Sequence, residues 1–399
     1  MTENGTFFDS ATRRRLQSAV LRWYDQHGRI LPWRASADPY RVWLSEIMLQ
    51  QTTVVAVVPY FNRFTAKFPD VQSLAAADVD NVLRLWEGLG YYSRARNLHK
   101  AARVILAEHN GQFPTDPVIL QTLPGIGRYT AGAIASFAFN QSAAILEANT
   151  ERLYARLTAL REDARSTASQ RSLWQFADSI VPKKRPGDFN QSLMDIGSQI
   201  CRPQGPDCGN CPLLTLCKAA QLGLQHELPI RKARVAITAV TEVGLAIHSK
   251  GRYLLRRRTE SERWAGMWDF VRFEIDESAV AQLPFSSPQS GRRTKSGGAV
   301  SQRSKSLFTA SGEKIPDLLQ NKVLDQVGCK VGRVSASTEI TYSVTRYRVR
   351  LICFACESQG AAPVQSPERR WVSKSEMAEL PLSKTGREIA KWLKTLCDE

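Results

Sequence analysis

Four cysteines, Cys201, Cys208, Cys211 and Cys217, follow one another at the spacing C-x6-C-x2-C-x5-C, in a chain whose first two hundred residues contain none. Thiolates this close together can hold a tetrahedral zinc ion or an iron–sulfur centre. Pro203, Gly205, Pro206, Gly209 and Pro212 make the segment loop rather than core, so a chance cluster of buried thiols does not account for it. Two disulfides are not expected, because the opening MTENGTFFDSATRRRLQ holds acidic groups and no apolar run of the secretory kind. Spacing alone leaves zinc and iron–sulfur both open.

The elements that must carry this centre change character along the chain. At 399 residues there is room for two or three domains. Residues 10–220 read as helical, with apolar positions at helical spacing in Leu16–Ala19–Val20–Trp23, Val79–Val82–Leu83–Trp86 and Leu98–Ala101–Ala102–Ile105. Breakers such as Asp38-Pro39, Phe68-Pro69-Asp70 and Pro186-Gly187-Asp188 punctuate them. A link at 221–235 holds Pro229, Arg231, Lys232 and Arg234. From 236 to 399 the pattern becomes alternating and β-branched, in Val235–Val240, Val243–His248, Tyr253–Arg256, Glu339–Thr345 and Arg348–Ala355, before a last helix near Thr385–Leu396. A stretch rich in Ser, Gly, Lys and Arg at about 286–306 reads as a flexible insertion. The fold class is therefore multidomain: all-α, then α+β.

Charge points to a partner. The net formal charge is +16, from 54 Lys plus Arg against 38 Asp plus Glu, and such an excess favours a polyanion whose condensed counterions are released on binding. No apolar run is long enough to span a bilayer, no basic amphipathic helix suited to a membrane surface stands out, and the expected location is the cytoplasm. Leu123-Pro124-Gly125-Ile126-Gly127 then opens an apolar helix; Pro-Gly-x-Gly makes a tight turn whose free N–H groups can receive a phosphate oxygen.

With these residues in view, the chain resembles the helix–hairpin–helix DNA glycosylases, and the cysteine spacing is similar to the four-iron, four-sulfur loop of the endonuclease III and MutY branch. Leu31-Pro32-Trp33-Arg34, Ser45-Glu46-Ile47-Met48-Leu49-Gln50-Gln51-Thr52, Gly88-Leu89-Gly90-Tyr91-Tyr92-Ser93-Arg94 and Asn190-Gln191-Ser192-Leu193-Met194-Asp195-Ile196-Gly197 are similar to adenine glycosylases of the MutY type. The resemblance covers about 20–220 and implies one 4Fe-4S cluster on Cys201, Cys208, Cys211 and Cys217. A fainter one, through Leu254-Leu255 and Trp264-Ala265-Gly266-Met267-Trp268, implies a MutT-like (Nudix-fold) second domain. A Glu-rich Nudix box is missing from it, so nucleotide hydrolysis there is not expected. Cys353-Phe354-Ala355-Cys356 lies in a strand pattern and reads as core.

Excising adenine means flipping it out of the duplex, protonating a poor leaving group and stabilising a sugar cation, and two carboxyl groups suit the last two tasks. Glu46 sits among Trp43, Leu44, Ile47 and Met48, where desolvation raises the pKa of an acid. The resemblance makes it the proton donor, and makes Asp195, with Trp33 and Arg34, part of the pocket for the flipped base. It places the second carboxylate at Glu147, beside Asn149. Here the chain departs from the family pattern Asp-Gly-Asn with Glu147-Ala148-Asn149. Tyr129 stands where lyase members carry a lysine; a tyrosine forms no Schiff base, so a monofunctional enzyme is expected.

Gln51, Thr52, Leu89 and Tyr91 match the wedge that fills the vacated stack. Gly125, Gly127 and Arg94 are expected on the DNA backbone, with Arg96 and Lys100 beside it. Tyr342-Ser343-Val344 replaces a Phe-Ser-His loop that reads the opposing base, so Ser343 keeps a hydrogen bond that Val344 cannot make. The implied function is removal of adenine opposite 8-oxoguanine or guanine in double-stranded DNA by a monomer. The alternative is a catalytically weakened lesion-binding protein, or a glycosylase with altered base preference.

Overall fold

A computed structural model describes residues 7–231, 236–284, 314–344, 346–359 and 365–396. The segment at 286–306, residues 232–235 of the link, and Cys397 lie outside the described residues. The chain divides into two compact units, Met1–Leu89 with Arg94–Ala233 and Gly90–Ser93 with Arg234–Glu399. No helix among the described residues is long and apolar enough to cross a membrane.

The first unit is helical: α1 (Ser10–His27), α2 (Pro39–Leu49), α3 (Val54–Lys67), α4 (Val71–Ala76), α5 (Val79–Trp86), α6 (Ser93–Glu108), α7 (Pro117–Leu120), α8 (Arg128–Phe137), α9 (Ala148–Thr158), α10 (Thr167–Ile180), α11 (Pro186–Gln199) and α12 (Lys218–Gln221). The breakers act as helix starts. Asp38 accepts from Tyr40 N at 2.9 Å with Pro39 at the first helical position, and Asp70 closes a reciprocal capping box with Ser73. In α2, Val42 to Met48 are all buried, Glu46 among them. Helix α11 packs on α1, α8 and α9, so Leu193, Ile196, Leu153, Leu16 and Phe176 share one core.

Among its described residues the second unit holds a seven-stranded mixed sheet of β1 (Thr238–Ser249), β2 (Arg252–Arg257), β3 (Trp268–Asp269), β4 (Val271–Ile275), β5 (Lys330–Val344), β6 (Tyr347–Gln359) and β7 (Arg369–Val372), ordered β3-β2-β1-β6-β5, with β4 on β1 and β7 on β2. β1 runs parallel to β6, Thr238 opposite Tyr347, while the other pairings are antiparallel. Alternation sorts the faces. Val243, Leu245 and Ile247 meet Leu319, Val323 and Val327 of a helix at Asp317–Val327, and Ala246 and Leu255 meet Ile389 and Leu393 of one at Lys384–Thr395. The two strands expected at 235–240 and 243–248 are one, because Glu242 does not break the run. It is buried and paired with Arg263. Cys353 and Cys356 are buried in the core.

Candidate functional site

Glu46 is only 3% exposed, and burial raises its pKa to about 7, against the pull of the Tyr129 hydrogen bond and the Arg34 charge and with the push of Glu147. The Tyr129 hydroxyl, one residue into α8, donates to Glu46 Oε2. The hairpin before α8 turns at Gly125, with φ of 78°, where an added Cβ would lie 2.8 Å from Asn97 Cβ. Gly127 caps α8 without a side chain and has open space around it, leaving the first N–H groups of α8 without a side-chain cap. Further along α8, a Cβ on Gly132 would stand 2.2 Å from Ala144 O. The helix bearing Tyr129 therefore lies flush on the segment that leads into Glu147.

Glu147 is the N-cap of α9. Its Oε2 accepts from Asn149 N at 2.9 Å and its Oε1 from Thr150 N at 2.9 Å, and Thr150 Oγ1 answers from the other side of the capping box. Burial raises its pKa, and the Asn149 and Thr150 N–H groups pull it back. Asn149 Nδ2 adds a 3.3 Å bond to Glu147 Oε2, while Asn149 Oδ1 accepts from Arg152 Nη2 at 2.9 Å. Arg152 also donates to Cys201 O at 2.7 Å.

Asp195 has a different setting from the base-contacting one expected. It is wholly buried and both oxygens are committed: Arg34 Nη1 to Oδ2 at 2.7 Å, Arg34 Nη2 to Oδ1 at 3.1 Å, and Arg29 Nε to Oδ1 at 2.7 Å. It anchors the segment at 29–34 to α11, and Ile30, 99% exposed, is held outward between the two arginines. Trp33 is buried edge-on to Phe61, ring centroids 5.4 Å apart. Sequence reasoning missed Arg29. A buried aspartate needs cationic partners, and a second arginine close before Arg34 was the available signal.

Arg94 requires a correction. It is 8% exposed and donates to Ile47 O and Met48 O, so it is not available to a DNA backbone. Its position in the first turn of α6 faces inward, which the charge pattern could not reveal. Lys100 is exposed. Of the wedge residues, Leu89 is buried, Thr52 half-buried, and Gln51 and Tyr91 are left-handed without being glycine, with φ of 58° and 48°. Tyr91 is 48% exposed. In the second unit, Ser343 is exposed near the β5–β6 turn, opposite Arg348. Tyr342 beside it donates to Glu242 Oε2 at 3.0 Å and lies 5.5 Å from the Trp264 ring.

Cys201, Cys208, Cys211 and Cys217 line one cavity with Arg156, Leu153, Leu157, Ile200 and Leu213, and all four are free thiols. Buried Arg156 donates to Cys201 Sγ at 3.2 Å, a contact suited to a sulfur that carries negative charge. Burial raises the Cys208 and Cys217 thiols and pushes Cys211 up to about 12, so thiolates at these three positions call for a cationic partner. Among the described residues no group of three His, Cys, Asp or Glu is gathered closely enough to hold a single metal ion. The four thiols around one cavity are donors of the kind that hold a zinc ion or an iron–sulfur centre.

Comparison with known proteins gives these features a family. The model of the HhH-GPD superfamily base excision DNA repair protein matches residues 44–178, and that of the NUDIX domain matches 242–392. An adenine DNA glycosylase of Mus musculus is 46% identical over 224 residues, 54% of this chain and 44% of that one. An adenine DNA glycosylase of Buchnera aphidicola subsp. Acyrthosiphon pisum is 38% identical over 265 residues, 66% of this chain and 76% of that one. The structure of a thermostable thymine-DNA glycosylase matches at 28% identity and a TM-score of 0.49, over 53% of this chain and 98% of that one. The chain spans less than half the length of the mammalian relatives it matches. The length shared with the Buchnera protein, together with a buried acid on α2 and a four-cysteine loop after α11, establishes that the chain belongs to the adenine DNA glycosylase family.

Proposed function

We propose that this chain is a monofunctional DNA glycosylase that flips adenine out of double-stranded DNA, opposite 8-oxoguanine or guanine, and hydrolyses its N-glycosidic bond. The observation that supports this most is Glu46. A general acid must hold its proton near neutral pH and still release it, and a carboxyl poised at about 7 does both. Glu46 gives its proton to the leaving base as the bond to the sugar breaks. Glu147, oriented by Asn149 and the start of α9, lends negative charge to the sugar cation, to which water then adds. Tyr129 orients Glu46 and has no amine to form a Schiff base, so the strand is left uncut.

Trp33 and Arg34 line the pocket of the flipped base, with Arg34 fixed by Asp195. Gln51, Thr52, Leu89 and Tyr91 enter the stack, the uncapped start of α8 at Gly125 and Gly127 receives a backbone phosphate, and Ser343 meets the opposing base. Cys201, Cys208, Cys211 and Cys217 would hold one 4Fe-4S cluster, which when bound supplies a brace for the loop at 201–217. The protein acts as a monomer in the cytoplasm.

One observation favours a second reading, a protein that binds its lesion and processes it slowly. The Glu147 carboxylate, one methylene longer than the family aspartate, is bound at both oxygens by α9, and a displacement of about 1 Å can cost on the order of a hundredfold in rate. A single-turnover assay on a duplex with adenine opposite 8-oxoguanine, run beside Glu147→Asp, decides between them. Adenine release by the natural chain, leaving an alkali-labile but intact strand, is the expected result. Tight binding with release only by the variant would establish the second reading.

A further inference from the structure

Helix α2, which carries Glu46, ends without a capping glycine, and its last carbonyls are taken by a side chain from another helix. Arg94 donates through Nη1 to Ile47 O at 2.8 Å, to Met48 O at 2.9 Å and to Gln50 O. Its Nη2 reaches Thr52 Oγ1 and Leu89 O, each at 3.3 Å, and its guanidinium carbon lies 5.4 Å from the centre of the Trp86 ring. A cation at the C-terminal end of a helix also complements the helix dipole. The acceptors belong to two segments distant in sequence. In one, Gln51 takes a left-handed backbone between two clasped residues; in the other, Gly88 and Gly90 flank Leu89 at φ of 104° and 73°. A left-handed glutamine persists only where its surroundings hold it there.

We propose that Arg94 is a positioning residue that locks the Gln50–Thr52 turn and the Leu89 segment onto the end of α2, so that entry into the base stack and presentation of Glu46 occur as one event. This rests on the glycosylase reading above. Five acceptors spread over two segments need the planar fork of a guanidinium. An ammonium, with three donors at one point, cannot span them.

The test uses the cluster-loaded full chain with Arg94→Lys, and with Thr52→Ala, which removes a single acceptor. A duplex carrying 2-aminopurine opposite 8-oxoguanine reports unstacking by its fluorescence, and adenine release is followed in single turnover. A second duplex, with the target opposite an abasic gap, offers a base that is already loosely stacked. Arg94→Lys is expected to slow unstacking and release about a hundredfold on the first duplex and about tenfold or less on the second. The pH midpoint of release is expected to stay in place, because it belongs to Glu46. Thr52→Ala shows a smaller loss with the same selectivity, and decides the matter if Arg94→Lys does not fold. Equal losses on both duplexes, or unstacking at the natural rate in Arg94→Lys, would overturn the clasp. A natural chain that unstacks the base yet releases no adenine would overturn the glycosylase reading and leave the clasp standing.

Discussion

The Tyr129 hydroxyl donates to Glu46 Oε2, tying α8 to α2 at a buried carboxyl whose pKa is raised to about 7. That hydrogen bond favours the ionised form, against a larger opposing effect of burial. Since the acid must be protonated to act, adenine release should fall as pH rises through about 7. Tyr129→Phe removes a contribution that lowers the pKa, so the midpoint should move upward while the fold is kept. Single-turnover rates from pH 5 to 9 check both.

Glu46 also ties stability to pH. Folded, it keeps its proton up to about 7, whereas the ordinary value is 4.5. Between those limits the folded chain binds more protons than the unfolded one, so stability present below about 4.5 is lost as pH rises through 7. Glu46→Gln cannot ionise and escapes this loss. It should abolish adenine release, yet be more stable than the natural chain at pH 8 by up to roughly 3 kcal/mol, and show no such gain at pH 4. Urea unfolding at the two pH values measures the difference.

Asp195→Asn should be severe. It leaves Arg34, a largely buried side chain, without the carboxylate that fixes it, and breaking a buried pair of this kind costs about 3–5 kcal/mol. Thermal melting should register the loss. Release should fall even in molecules that remain folded, because Arg34 no longer has a fixed position in the pocket.

Gly132→Ala tests the close approach of α8 to the segment before Glu147. A methyl group there would meet Ala144 O at 2.2 Å, and backbone cannot rotate away as a side chain can. A destabilisation of about 1–3 kcal/mol is expected, together with slower release, because Tyr129 and Glu147 sit on the two surfaces being pushed apart.

For the cysteine loop, iron analysis of protein purified without oxygen should return about four irons per chain with broad visible absorption. Cys201→Ser should remove both and lower the melting temperature. A single zinc with no visible band would replace the cluster reading.

Some of this was legible in residues alone and some was not. Glu46 could be read as an acid because its apolar neighbours lie beside it in the chain, and the cysteines because their ligand spacing is local. Arg94 was misread because helical spacing does not say which way a side chain faces, and its acceptors are carbonyls, which no residue type reveals. Arg29 and Asp195 meet across the whole first unit, a distance no local pattern spans. In the second unit, β3 has two residues and β7 four, too few to show alternation, and buried Glu242 hid the continuity of β1 because its arginine partner lies in a later segment.

The parallel pairing of β1 with β6 governs how the second unit can assemble. Residues far apart in sequence, from Thr238 with Tyr347 to His248 with Glu357, must come together to form that ladder, and the entropy of closing the intervening chain is lost first. Until β6 has been made, one edge of β1 lacks its neighbour, with Val243, Leu245 and Ile247 beside it awaiting cover. Completion of the sheet therefore waits on β6, and in a growing chain the interval before it leaves an unpaired strand edge of the kind that invites aggregation.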